Sequence, residues 1–155
     1  MIVEKMAKSL KDAGFTKNQV AYILATVKHE TNSTFKPVVE AYWLNDADTW
    51  CKKHHPEYYP YYGRGYVQIT WKENYKKFSG ILGKDLVANP ELALAPENAL
   101  KILIIGFRDG LFTGKKITDY INDKKCDFVG ARRCINRQDD AKLIAKYAKR
   151  YLELQ

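Results

Sequence analysis

The sequence lacks most of the features that would place it in a special class. No stretch approaches the roughly 18 to 20 consecutive apolar residues that a membrane-spanning helix needs. The longest apolar run, Ala99–Phe107, is broken by Lys101 and Gly106, so stable membrane insertion is not expected. Cysteine is scarce: Cys51, Cys126 and Cys134 are an odd, sparse set in 155 residues, which suits a reducing compartment better than a disulfide framework. Cys126 and Cys134 could pair, but three unpaired thiols are the simpler expectation. His54 and His55 stand near Cys51, yet no second cysteine or carboxylate lies at zinc-like spacing, and neither a metal nor another cofactor is expected. Repeats, low-complexity segments and a Gly/Ser-rich linker are absent, which predicts one domain over residues 1–155. The opening Met1-Ile2-Val3-Glu4-Lys5 lacks the basic-then-apolar order of a secretory signal, so export is expected to need another route or a removed leader.

What is present is enough apolar material for a core, 46% of residues with 13% aromatic, and an excess of positive charge. The formal net charge is +8, and it is uneven: residues 1–75 carry 10 basic and 8 acidic side chains, residues 76–155 carry 16 and 10. Such a balance favours a polyanionic partner: nucleic acid, an anionic membrane surface or an acidic cell-wall polymer. Charge alone does not choose among them.

Local patterning predicts a mainly α fold. Ile2 to Ala13 is amphipathic and stopped by Gly14. Thr16 with Gln19 three residues on is a capping-box signal for a helix over Lys17–Thr31, with Val20, Ile23, Leu24 and Val27 at i, i+3, i+4 and i+7. Further helices are expected at Trp71–Leu82, Glu97–Phe112 after Pro96, Ile117–Asn122 and Asp139–Leu154. Between Asn32 and Gly65 neither periodicity is clear, and long irregular segments inside compact domains are usually functional. On the last helix Lys142, Lys146, Lys149 and Arg150 form a basic stripe opposite Ile144, Tyr147, Ala148 and Tyr151. The stripe reads as a solvated face, or as a surface drawn to an anionic wall or outer membrane.

Two stretches carry chemistry. Glu30 falls at the margin of the apolar stripe near the C-terminal end of its helix, where burial and the negative end of the helix dipole both disfavour the charged form. A carboxyl that keeps its proton near neutral pH is what a general acid requires. His29-Glu30 matches half of a zinc-protease HExxH signature, but Ser33 stands where the second histidine belongs. The run Gly65-Tyr66-Val67-Gln68-Ile69-Thr70-Trp71 reads as a strand, with Tyr66, Gln68 and Thr70 on one face and Val67, Ile69 and Trp71 on the other. Gly63 and Gly65 around Arg64 would let the backbone turn sharply near a ligand. Tyr58, Tyr59, Tyr61 and Tyr62 offer faces for stacking on sugars or bases.

Four blocks in order, Lys28-His29-Glu30-Thr31, Tyr61 to Tyr75, Leu86-Val87-Ala88-Asn89-Pro90-Glu91-Leu92 and Cys134-Ile135-Asn136, resemble glycoside hydrolase family 19. That family holds plant-type chitinases and lysozyme-like relatives among bacteriophage endolysins. The specific part is Tyr62-Gly63-Arg64-Gly65 with Gln68, Ile69, Thr70, Asn74 and Tyr75. The resemblance implies a lysozyme-like α-helical domain with a small strand element and a substrate cleft. It implies Glu30 as general acid and Glu40 as the general base acting on water, with Asp46, Asp48 and Glu57 as open alternatives for the base. Thr70 is the hydroxyl expected to position that water, and Tyr62, Arg64, Gln68, Asn74 and Asn136 are expected to contact sugar. Arg137-Gln138 replace a glycine pair after Asn136, which departs from the family pattern.

The implied activity is hydrolysis of β-1,4 bonds between N-acetylhexosamines with inversion, for which the carboxyls stand roughly 6.5–9.5 Å apart. Few cysteines, no apparent signal and the basic balance favour peptidoglycan over chitin, in a monomeric endolysin made in the host cytoplasm and released to the wall. Chitin hydrolysis is the alternative. A non-catalytic binder of wall sugar or nucleic acid is the alternative from another class; nucleic acid is not the expected partner, because no familiar binding motif appears.

Overall fold

The computed structural model describes residues 2–135 and 137–155. Its elements are α1 (Ile2–Asp12), α2 (Lys17–Glu30), β1 (Val38–Val39), α3 (Ala47–His54), β2 (Arg64–Gly65), α4 (Lys72–Leu82), α5 (Pro96–Asp109) and α6 (Ala141–Glu153). Short 3-10 turns lie at Pro90–Leu94, Ile117–Asp119 and Gly130–Cys134. The mainly α expectation holds. The chain gathers into two compact units: residues 1–35 with 104–155, and residues 36–103.

In the first unit α2 is the central element. Its capping box forms as expected: the Gln19 amide donates to Thr16 Oγ1 at 3.3 Å and the Thr16 amide to Gln19 Oε1 at 3.0 Å. Instead of one apolar stripe, every residue from Val20 to Val27 is buried. Ala21 and Ala25 make this possible, because small side chains let neighbours close in on the face opposite Ile23 and Leu24. Helix α6 packs along α2 through Ile144, Ala145 and Ala148. Tyr22 stacks on Phe128 and meets Phe107 edge-on. All four residues of the basic stripe are exposed. With Lys28, Leu143, Tyr147, Glu153 and Leu154, three of them (Lys146, Lys149 and Arg150) line an open groove.

In the second unit, β1 and β2 pair antiparallel, Val38 with Gly65 and Val39 with Arg64. Helix α4 buries Tyr75 and Phe78 and ends at Gly83, whose φ of 67° is the left-handed geometry of a glycine cap. The unit's buried cation is Arg64, whose guanidinium lies 4.0 Å from the centre of the Tyr62 ring and donates to the Pro60 carbonyl and the Tyr75 hydroxyl. Tyr75 in turn donates to the Tyr62 carbonyl at 2.5 Å.

Three expectations need correction. The run Gly65–Trp71 is no strand: only Arg64–Gly65 pair as one, an isolated bridge joins Arg64 to Ile69, and Gln68 and Trp71 take left-handed φ of 65° and 76°. The chain doubles back instead of alternating, so Tyr66, Val67 and Ile69 are all buried while Trp71 is 45% exposed. Ile117–Asn122 forms only a three-residue 3-10 turn. The irregular segment contains α3, which Asp46 caps by accepting from the Thr49 amide at 3.1 Å and its hydroxyl at 2.6 Å. Thiols Cys51, Cys126 and Cys134 are free.

Candidate active site

The first unit holds Glu30, the last residue of α2. Its side chain is 5% exposed and faces two guanidinium groups: Arg132 Nη2 donates to Oε1 at 3.1 Å, and Arg137 Nη1 stands 3.9 Å from Oε2. The carboxyl is thus no solitary buried acid, as its position on the helix alone suggests. Arg132 is itself 1% exposed. Its Nε donates to the Asp139 carbonyl at 3.0 Å, its Nη2 is 3.5 Å from the Asp139 carboxylate, and its Nη1 has no partner. Burial pushes the Asp139 carboxyl up, but the Arg132 charge, a backbone hydrogen bond and Arg137 outweigh it and hold it below the ordinary value.

His29 Nε2 lies 3.2 Å from Asp140 Oδ2, and with Asp139 these groups could present three ligand atoms to a cation. Arg132 and Arg137 already supply positive charge to Asp139. Asn136, expected to contact sugar, lies outside the described residues.

The second unit holds Glu40, on the loop leaving β1. Its side chain is 20% exposed. Oε1 accepts from the Gly63 amide at 3.0 Å, Oε2 accepts from the Tyr58 hydroxyl at 2.6 Å, and His55 Nε2 is 3.5 Å from Oε2. The next residue, Ala41, sits at a left-handed φ of 59°, backbone strain held at the point where the carboxylate is aimed. Burial first, and then the Glu40 contact, raise the pKa of the Tyr58 phenol. Burial and Glu40 likewise push the Cys51 thiol up to about 11.

Of the alternatives for the base, Asp46 is committed to the cap of α3. Asp48 accepts from the Tyr59 hydroxyl at 2.8 Å and the Tyr62 hydroxyl at 2.9 Å. Glu57 faces His55 Nδ1 at 3.1 Å.

The remaining expected site residues of this unit form a local network. Gln68 Nε2 donates to the Val38 carbonyl at 2.9 Å and the Gly65 carbonyl at 3.2 Å. Asn74 Nδ2 donates to the Thr70 carbonyl at 2.7 Å, and the Thr70 hydroxyl makes a long bond, 3.4 Å, to the Gln68 carbonyl. A Cβ on Gly63 would stand 2.5 Å from Gln68 Oε1, so glycine there lets the Gln68 side chain lie across the turn. Arg64 does not fit its expected role: at 3% exposure, with its guanidinium enclosed by tyrosines, it is a core group that holds the turn. Tyr62 is buried too, and burial followed by the Asp48 contact pushes its phenol up to about 12 against the pull of Arg64.

Sequence reasoning missed Arg132, Arg137 and His55 as neighbours of the two carboxylates. No sequence signal pointed to Arg132: its 1% exposure, unusual for an arginine unless it is paired, is a property of the fold.

The family model for glycoside hydrolase family 19, described as chitinase class I, matches residues 6–102. The chain belongs to glycoside hydrolase family 19. Chitinase 3 of Oryza sativa subsp. japonica is 34% identical over 96 residues, which cover 52% of this chain and 30% of that protein. Chitinase 11 of the same plant is 58% identical over 33 residues, 21% of this chain and 13% of that protein. The chain therefore spans about a third or less of these curated relatives. Among solved structures it resembles chitinase C from Streptomyces griseus HUT6037, with TM-score 0.63 and 24% identity, covering 97% of this chain and 67% of that one. A bacterial family 19 chitinase gives TM-score 0.62 at 25% identity, covering 97% and 83%.

Proposed function

We propose that the protein hydrolyses β-1,4 bonds between N-acetylhexosamines, with Glu30 as general acid and Glu40 as general base. The observation that carries this reading is the pair of carboxylates at the family's motif positions, each held by donors from its own unit. Glu40 accepts from an amide and a phenol, which hold the carboxyl in place beside solvent, where a base acting on water must stand. Of its roughly four lone-pair positions these contacts leave at least one for water. Thr70 is proposed to help hold that water. Glu30 donates its proton to the glycosidic oxygen, and attack from the opposite face gives inversion.

Peptidoglycan is the proposed substrate. The +8 balance and the exposed stripe Lys142, Lys146, Lys149 and Arg150 suit an anionic wall. An endolysin acting from the host cytoplasm on the wall is the corresponding setting. Chitin is the second reading, favoured by the chitinase names of the rice and Streptomyces relatives. Parallel incubation with purified peptidoglycan and colloidal chitin, followed by mass spectrometry of released fragments, tests both. New reducing ends at N-acetylmuramic acid mean a muramidase, and ends at N-acetylglucosamine from the wall mean a glucosaminidase. Soluble chitooligomers alone would overturn the choice of peptidoglycan, and no cleavage of either polymer would overturn the hydrolase reading.

A further inference from the structure

His55 closes α3, its amide donating to the Cys51 carbonyl at 2.7 Å, and its ring is fixed on two sides. It stacks on Tyr58, with centroids 5.0 Å apart and planes at 13°, and meets Trp50 at 5.5 Å and 65°. So oriented, Nε2 faces Glu40 Oε2 at 3.5 Å and Nδ1 faces Glu57 Oε1 at 3.1 Å. Both ring nitrogens therefore point at carboxylate oxygens. A neutral imidazole has one donor and one lone pair. Either neutral tautomer turns a lone pair against one of the two carboxylates, and only the imidazolium satisfies both. The C-terminal end of α3 adds a small attraction for positive charge there.

We infer that His55, as imidazolium, is a positioning residue for Glu40: it bridges Glu57 to the catalytic carboxylate and holds the latter in its working orientation. The inference rests on the reading of Glu40 as general base. His55 acts through Glu40 and has no role in sugar contact, so its removal lowers kcat and leaves KM nearly unchanged.

The groups that face this pair are few. Glu57 is held below its ordinary value by a backbone hydrogen bond first and by His55 second. The Tyr58 phenol donates to Glu40 and stays protonated, since its pKa is raised. The Cys51 thiol, 4.0 Å from the Glu40 carbonyl, is pushed up to about 11. Asp48 is bound by Tyr59 and Tyr62, and Arg64 is enclosed by Tyr62 and Tyr75. His54 is engaged elsewhere, its Nδ1 donating to the Trp50 carbonyl at 3.0 Å. His55 is the member of this shell with both ring nitrogens set on carboxylate oxygens. The clamp needs both ring protons, so it is lost wherever the ring gives one up.

The test is the ratio of kcat for the unmodified protein to kcat for His55→Gln, followed across pH on whichever glycan the fragment analysis shows to be cleaved. Glutamine keeps a neutral donor and loses the charge. The ratio should be about tenfold at low pH and fall towards one at high pH, with KM within about twofold. His55→Asn is carried in parallel in case the glutamine variant melts early. A ratio that stays at one, or stays constant at any other value across pH, overturns the inference. Glu40→Gln separates the two levels: a fully active Glu40→Gln sinks the general-base reading, whereas an inactive Glu40→Gln beside a pH-independent His55 ratio sinks the clamp alone.

Discussion

The two carboxylates live in opposite kinds of surroundings. Glu30 ends a fully hydrogen-bonded helix and meets charged partners, Arg132 and Arg137, that lie about a hundred positions further along the chain. Glu40 sits on a strained loop and meets its neutral donors, Tyr58 and Gly63, within 23 positions. Burying charge demands countercharge, and at Glu30 only a distant segment provides it. At 20% exposure Glu40 still reaches water, so an amide, a phenol and a partly exposed imidazole at 3.5 Å stand where Glu30 has two guanidinium groups. The two guanidinium groups fix the Glu30 carboxyl in one orientation. The lightly held site suits a group that must share its oxygens with a water.

Breaking either carboxylate should have the largest effect. Glu30→Gln and Glu40→Gln should each cost about 10² to 10⁴ in kcat with the fold retained, as read by fragment release and circular dichroism. Full activity in either would remove that residue from the proposed pair.

The contrast in partners predicts a contrast in stability. Arg132→Met leaves a nearly buried Glu30 without its close countercharge and should cost about 3–5 kcal/mol in urea unfolding. Tyr58→Phe removes one bond to a carboxylate that reaches solvent, and should cost about 1–2 kcal/mol at most while lowering kcat roughly tenfold. Equal losses in the two variants would erase the distinction.

A third effect concerns high pH. In the second unit the Cys51 thiol is pushed up to about 11 by burial and then by Glu40, and the Tyr62 and Tyr75 phenols up to about 12, mainly by burial. These acids are neutral when folded and ionise sooner when unfolded. Their contribution is complete below the ordinary values, about 8.5 for thiol and 10 for phenol, and is lost as pH rises through about 11 to 12. Thermal melts should fall over that window, and Cys51→Ser should delay the onset of the fall. The smallest effect belongs to the basic stripe: neutralising Lys142, Lys146, Lys149 and Arg150 should weaken binding to purified wall at low salt and change little at high salt. Unchanged low-salt binding would leave the stripe a solvated face.

Much of this was legible in the chain. The capping box at Thr16 and Gln19, the stop at Gly14 and the apolar spacing of α2, α4, α5 and α6 are local signals, and each acts within one or two turns. Glu30 and Glu40, the proposed pair, were singled out through motif resemblance. Helix α3 was missed because eight residues of mixed polarity show no clear period, although Asp46 with Thr49 and the basic last turn Lys52-Lys53-His54 match helix-end chemistry. The Gly65–Trp71 run misled because alternation of residue types presumes an extended backbone, and the left-handed turns at Gln68 and Trp71 break it.

The sequence by itself determined the helices α1, α2, α4, α5 and α6, the Thr16 cap and the motif placing of Glu30 and of the proposed Glu40, since these depend on neighbours a few residues apart. Which charges face those carboxylates was decided only by tertiary structure. Arg132 reaches Glu30 because a turn some hundred residues later packs against the end of α2, and Arg64 became a core residue because two tyrosines, Tyr62 and Tyr75, close around it. Periodicity records which side of a helix is apolar; it carries no record of which distant polar group must be buried with it, and at a site built on charge that partner decides the chemistry.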